Sequence, residues 1–161
     1  MSASENSVSR DPAGGDGAGD DLGATFSRLL AVIVAREAPI LAGHGLTMWE
    51  YVILVPLVGQ PGMSQKDLAR RSRRDPTRLI GHLDVLEERA LITRAVDGTD
   101  RRRRAVRLTD RGDEVVRATR REIRAMETEL LAGLSPGDQA GLRQNLAAAL
   151  RSLRERGWEQ S

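Results

Sequence analysis

Three helix-start signals crowd the stretch from Thr47 to Pro76. Thr47 with Glu50 makes a T-x-x-E capping box, Ser64 stands three residues before Asp67, and Asp75 precedes Pro76, an N-cap before a proline at the first helical position. Each new start requires the previous helix to have ended. This part of the chain therefore folds as short helices joined by tight turns. Pro56 lies inside the apolar stripe Trp49, Val52, Ile53, Leu57 and should bend or end the first of them. The second runs from Ser64 to about Arg71 and buries Leu68 and Ala69. The third runs from Asp75 to about Arg89 with Leu79, Leu83 and Leu86 inward. Past Ala90 the period shortens: Leu91-Ile92-Thr93 reads as a strand, Asp97-Gly98 as a turn and Ala105 to Leu108 as the returning strand.

Longer apolar periods flank this segment. Leu22, Phe26, Leu29, Leu30, Ile33 and Val34 recur at helical spacing and continue to Ile40 and Leu41; Pro39 should kink or fray that helix and Gly43 to Gly45 should close it. Thr109 opens a long helix to about Leu131, with Val115, Val116, Ile123, Met126 and Leu130 apolar. Ser135, Pro136 and Asp138 open a last one to about Arg156, with Leu142, Leu146, Leu150 and Leu153 inward. Residues 1–20 are rich in Ser, Gly, Ala and Asp, with almost no large apolar side chain, and are expected to be a disordered tail.

The expected fold is thus mainly α with a small β-hairpin wing: a winged helix-turn-helix plus N- and C-terminal dimerisation helices. The boundaries are a tail over 1–20, an N-terminal dimerisation helix over 21–46, a DNA-binding region over 47–109 and C-terminal dimerisation helices over 110–161. The terminal helices are the reason to expect a homodimer. Each is apolar along one stripe, and one chain holds no partner large enough to cover both, whereas pairing across a two-fold axis does so.

Charge points to the partner. The net charge is only +2, but residues 62–111 hold fourteen basic against eight acidic residues, while 22–61 and 112–161 each sum to zero. A basic block between neutral flanks is the footprint of a phosphate-binding surface, and double-stranded DNA is the expected partner. With 2% aromatic residues, a reader that stacks bases on aromatic rings is excluded. The absence of cysteine excludes disulfides, thiolate metal sites and thiol redox sensing; two histidines, His44 and His82, make a histidine metal site a poor reading. No nucleophile–base–acid set or Gly-rich phosphate loop is present, so neither catalysis nor a cofactor is expected. No apolar run approaches the roughly 18 residues that span a bilayer, and the N-terminus has no signal-like apolar region, so a cytoplasmic protein is expected.

Five pieces in order carry a resemblance: Gly45-Leu46-Thr47-Met48-Trp49-Glu50, Ser64-Gln65-Lys66-Asp67-Leu68-Ala69, Leu86-Glu87-Glu88-Arg89-Ala90-Leu91-Ile92, Asp100-Arg101-Arg102 and Leu108-Thr109-Asp110-Arg111-Gly112. Over about residues 22–156 the chain resembles the MarR family of bacterial transcriptional regulators. The resemblance implies an obligate homodimer, a palindromic operator, and often relief of repression by a small, frequently aromatic, acid. It also exposes departures. Family members commonly carry Gly where Ala90 stands, which alanine tolerates only if that backbone needs no positive φ. Ile80 and Gly81 stand where many relatives have polar or basic base-contacting residues.

The candidate DNA contacts follow from the motif. The second short helix enters a major groove with its N-terminal residues nearest the bases, so Thr77 and Arg78 are the expected readers, with His82 a turn further. Arg73 and Arg74 precede its N-cap and are expected on phosphates; Gln65 and Lys66 open the preceding helix and face the DNA backbone. Arg101, Arg102, Arg103 and Arg104 form the wing, with Arg101 and Arg102 at its tip, where the negative minor groove favours arginine. Asp100 is expected to hold the wing's shape. By resemblance, an effector binds between the dimerisation and DNA-binding regions, near His44, Met48 and Trp49. Trp49 is also expected to be a core residue, and Arg117, Arg120, Arg121 and Arg124 to pair with Glu122, Glu127 and Glu129 along the long helix. The apolar surroundings suggest an aromatic or hydrophobic ligand. The competing readings are a constitutive regulator without effector and a winged-helix protein-interaction module that does not bind DNA.

Overall fold

A computed structural model describes residues 21–96 and 104–158. The order of elements is α1 (Leu22–Gly43), α2 (Met48–Leu54), a single 3₁₀ turn (Val55–Leu57), β1 (Met63–Ser64), α3 (Gln65–Ser72), α4 (Pro76–Glu88), β2 (Ile92–Val96), β3 (Arg104–Leu108), α5 (Asp110–Leu130) and α6 (Pro136–Glu155). The chain divides into two units after Val32, within α1. The described part of the first is the N-terminal half of α1, opened by the Asp21 carboxylate, which accepts from the Ala24 N–H at 2.8 Å. The second holds everything else.

The helix starts fall where the capping chemistry places them. Thr47 and Glu50 form the reciprocal capping box of α2. Ser64, Asp75, Thr109 and Ser135 cap α3, α4, α5 and α6 through their side-chain oxygens. α2 ends at Leu54 and tightens into the 3₁₀ turn that contains Pro56, which has no N–H to continue an α-helix. α1 runs through Pro39 to Gly43 instead of fraying at the proline; Leu41, two residues on, is buried and anchors that turn.

Three helices end in one motif. After α1, the Leu46 N–H reaches back to the Leu41 carbonyl and the Gly45 N–H to Ala42; after α3, Arg74 reaches Ala69 and Arg73 reaches Arg70; after α4, Leu91 reaches Leu86 and Ala90 reaches Glu87. The motif needs one left-handed residue, and these are Gly45 (φ 66°), Arg73 (φ 51°) and Ala90 (φ 53°). The proviso under which alanine replaces glycine freely at position 90 is therefore not met: the backbone there does need a positive φ, and Ala90 carries the strain of its Cβ.

The sheet is three-stranded and antiparallel in the order β1–β3–β2, with Met63 opposite Val106 and Arg94 opposite Val106 on the other side. β1 leaves no signal in the sequence, because two residues carry no periodicity. The core lies between α2, α3, α4, α5 and this sheet, built on Ile53, Leu54, Leu68, Leu83, Val106 and Val116. The inward stripe expected for α6 is only partly covered by the described residues: Leu142, Leu146 and Leu153 are half-buried, and Leu150 is 46% exposed. Trp49, expected in the core, is 42% exposed. Among the described residues no single helix is long and apolar enough to cross a membrane.

α5 begins against the start of β2 with no room for a side chain. A Cβ on Gly112 would stand 1.9 Å from the Leu91 carbonyl oxygen. We predict that Gly112→Ala lowers unfolding free energy by about 3 kcal/mol or more, because backbone has to move. Ala90→Gly should raise it by about 1 kcal/mol, since glycine adopts the left-handed conformation without strain. Denaturant unfolding of the two variants against the parent measures both.

Candidate nucleic-acid interface

The Asp75 carboxylate accepts the backbone N–H groups of Thr77 (3.0 Å) and Arg78 (3.2 Å), which pins the first turn of α4. Leu79, Leu83 and Leu86 are fully buried and fix the rotation of the helix. Thr77, Arg78, Ile80 and Gly81 are exposed as a result, and His82 is half-buried. In α3, Lys66 is exposed and Gln65 half-buried in the first turn. Arg73 is exposed in the turn between the two helices. Arg74 beside it has its guanidinium 3.1 Å from the centroid of the Trp49 ring, and its Nε is buried without a hydrogen-bond partner. That stack explains why Trp49 is not in the core: its face is the seat of a cation.

Arg89, just past α4, donates to the buried Glu50 carboxylate at 3.1 Å and to the Gly45 carbonyl at 2.7 Å. The first turn of α2 therefore holds the chain on both sides of α4, through Trp49 before it and Glu50 after it. Sequence reasoning assigned Glu50 only to its capping box, whose other oxygen does accept the Thr47 N–H at 2.8 Å. Its second partner lies 39 residues away and left no local signal.

The wing is tied to α4 by a third clasp. Arg94 on β2 donates through Nε to Glu87 at 2.7 Å and pairs with Asp84 at 2.7 Å, while its backbone N–H reaches the other Glu87 oxygen at 3.1 Å. The Arg94 guanidinium holds the Glu87 carboxyl below the ordinary carboxylate range. Of the wing arginines, Arg101, Arg102 and Arg103 lie outside the described residues, as does Asp100, and Arg104 begins β3.

The three effector candidates face different neighbours. His44 Nε2 lies 2.9 Å from Glu122 Oε1 on α5, Trp49 faces Arg74, and Met48 is half-buried on the first turn of α2. The ladder of ion pairs expected along α5 does not form. Glu122 goes to His44, Glu127 to Arg143 on α6, and Arg117 pairs with Asp113. What lies beside the α5 arginines instead is a cleft of about 300 Å³ lined by Val58, Val116, Arg117, Arg120, Arg121 and Arg124. Near it, burial pushes the Tyr51 hydroxyl and the Glu37 carboxyl upward from their ordinary ranges, the latter helped by the charge of Glu127.

A capped helix presented beyond a short first helix, with a hairpin clasped to its side, defines the winged helix-turn-helix regulators. Comparison with known proteins makes this specific. The MarR family model matches residues 44–103. The chain is 30% identical over 125 residues to the HTH-type transcriptional repressor Rv2887 of Mycobacterium tuberculosis, covering 76% of this chain and 90% of that one. A solved complex of Rv2887 with p-aminosalicylic acid superposes with a TM-score of 0.66 at 27% identity, covering 81% of this chain and 98% of the other. A MarR-family transcriptional regulator from Rhodococcus sp. RHA1 gives 0.72 at 25% identity over 84% and 96% of the two chains. The repressor CouR bound to a 23-mer DNA duplex gives 0.70 at 25% identity over 80% and 92%. The chain belongs to the MarR family of transcriptional regulators.

The lowered pKa of Glu87 sets a pH dependence. Its folded pKa lies below the ordinary 4.5, so the clasp with Arg94 contributes fully above that value and is lost as pH falls through the lowered folded pKa. We predict that stability of the parent falls through this acid window more steeply than that of Glu87→Gln, whose amide does not titrate. Thermal unfolding between pH 3 and 6 (roughly one unit either side of the carboxylate range) compares the two.

Proposed function

We propose that the chain is a homodimeric transcriptional repressor that binds a palindromic operator in double-stranded DNA and is released by a small aromatic or hydrophobic acid. The observation that carries the DNA reading is the pinned first turn of α4, with Thr77 and Arg78 exposed opposite the buried Leu79–Leu83–Leu86 stripe. In this reading Arg78 contacts a base, Thr77 a base or phosphate, and His82 lies a turn deeper. Gln65, Lys66 and Arg73 serve the phosphates; Arg74, stacked on Trp49, positions the turn and keeps its charge near the DNA backbone. Arg101 to Arg104 form the wing contact. The reading is supported by the DNA-bound relative CouR. The protein is a regulator and not an enzyme, and it works in the cytoplasm, where the operator is.

The division into tail, dimerisation helix, DNA-binding region and C-terminal dimerisation helices at 20, 46 and 109 belongs to the same proposal. Its support is the half-open leucine stripe of α6 and the exposure of Leu22, Phe26 and Leu30 on α1. A second copy is the partner that covers such stripes under a two-fold axis.

The test is selection of duplex fragments by the purified protein, followed by affinity measured across salt concentrations. With about four phosphates neutralised per subunit, log K against log salt should slope near −7 for the dimer. Arg78→Ala should weaken binding by about 1–3 kcal/mol per base contact at the selected site, with little effect on random DNA. A flat salt response removes the DNA reading, and a monomer in sedimentation at micromolar concentration removes the dimer.

The effector half has its own support. Relatives are solved with p-aminosalicylic acid (Rv2887) and with p-coumaroyl-CoA (CouR). The α5 cleft combines valine walls with arginines, a lining that suits an aromatic acid, and His44, through Glu122, links the α1–α2 turn to the same helix. Release requires only that the acid bind the DNA-incompetent arrangement more tightly. We predict that some aromatic acid lowers operator affinity and changes Trp49 fluorescence in a Trp158→Phe background, and that Arg120→Ala blunts both. A broad panel with no effect on either readout leaves a constitutive regulator.

A further inference from the structure

We propose that Ile80 recognises the 5-methyl group of a thymine in each operator half-site, and that Gly81 beside it lets α4 approach the bases closely enough for the contact. This rests on the DNA-binding reading above and takes it to the level of which base one residue selects.

The argument starts from the rotation of α4. With Leu79, Leu83 and Leu86 facing the core, Thr77, Ile80, Gly81 and Asp84 fall at i, i+3, i+4 and i+7 on one exposed stripe. Asp84, at the far end of the stripe, is paired with Arg94. Ile80 sits in the middle and is 48% exposed, while Leu79 and Leu83 next to it are 1% and 0% exposed. Isoleucine is among the residue types most often buried, and the described residues leave about half of this one open to solvent. Phosphates and the polar edges of bases offer no apolar surface. The thymine methyl is the apolar group that the floor of the major groove presents.

Gly81 is the independent observation. Glycine inside a helix is destabilising relative to alanine, so its presence calls for a reason. The usual reasons within a chain are lacking. Its φ is not positive, and a Cβ built there would meet nothing within 4 Å. The missing side chain is on the outward face, in the second turn, where the helix lies against the bases. A glycine there thins the helix toward the DNA, and a short isoleucine side chain next to it then reaches the groove floor. Val85, also exposed, lies on the third turn, beyond the base-contacting end.

The experiment uses duplexes selected by the full chain. Each half-site thymine is replaced in turn by deoxyuridine, which removes the methyl and leaves the hydrogen-bonding edge intact. Affinities are measured for the parent and for Ile80→Ala. Burying one methyl group corresponds to about a fourfold effect, hence roughly sixteenfold when both half-sites are changed. We expect one thymine position per half-site to show this loss in the parent and none in Ile80→Ala. Ile80 is exposed, so the variant should unfold at the parent's temperature. Gly81→Ala should unfold at a higher temperature and yet bind the selected site more weakly. The proposal is overturned if deoxyuridine has no effect at any thymine, if the loss is the same in Ile80→Ala, or if Gly81→Ala binds as tightly as the parent. Failure to select any duplex sinks the DNA reading itself, and this proposal with it; success in selection with additive losses sinks this proposal alone.

Discussion

The contact on which the rest of the structure depends is the seat of α5 against Ala90 and Leu91, the two residues that lead from α4 into β2. Thr109 donates its N–H to the Leu91 carbonyl at 3.1 Å and its hydroxyl to the Ala90 carbonyl at 2.7 Å, and the same hydroxyl accepts the Gly112 N–H at 2.9 Å. One side chain thereby caps α5 and ties it to the end of the recognition helix. The approach is close enough that only glycine fits at position 112. Val116, one turn along, is wholly buried and carries the helix into the core. The angle at which the long helix leaves the wing is therefore set by backbone contact, which deforms less readily than side-chain packing.

The basic block has two jobs, and the structure separates them. Arg70 pairs with Asp67, Arg74 stacks on Trp49, Arg89 holds Glu50 and Gly45, and Arg94 holds Glu87 and Asp84. The first pair lies within α3, and the other three arginines orient α4 and the wing. Removing either partner of the Glu50–Arg89 pair strands a charge in a largely buried place, so this clasp is costly to break even where it adds little net stability. The outward face of α4, by contrast, is partly apolar: Thr77, Ile80, Gly81 and Val85, with Arg78 at its edge and the acids Asp84 and Glu88 toward its C-terminal end. The positive block thus builds the frame of the reading head as well as its contact surface, and its net charge overstates the number of residues left to meet DNA.

Much of this was legible beforehand because it is local. A cap needs its partner two or three residues away, so Thr47, Ser64, Asp75, Thr109 and Ser135 announced their helices in sequence. The stripe Leu79–Leu83–Leu86 needed only helical periodicity, and with Asp75 it determined that Thr77 and Arg78 face outward. Proline chemistry ended α2 at Leu54. The ordered motifs, spread over most of the chain, are by themselves enough to indicate the MarR family.

What sequence could not settle is what depends on partners far along the chain. Trp49 looked like core because its period matched, but a cation 25 residues later draws its ring to the surface. Ala90 looked tolerable until the backbone hydrogen bonds of the turn required a left-handed residue. The acids of α5 looked like partners for the arginines of their own helix and instead bind His44 and Arg143. The two residues of β1 are a strand only because β3 lies beside them. Local chemistry, acting within one or two turns of chain, determined the elements and the outward side of the recognition helix. The tertiary structure decided which charged side chains brace that helix and which remain to bind, because a charge goes to the nearest desolvated partner in space and sequence separation does not enter that energy.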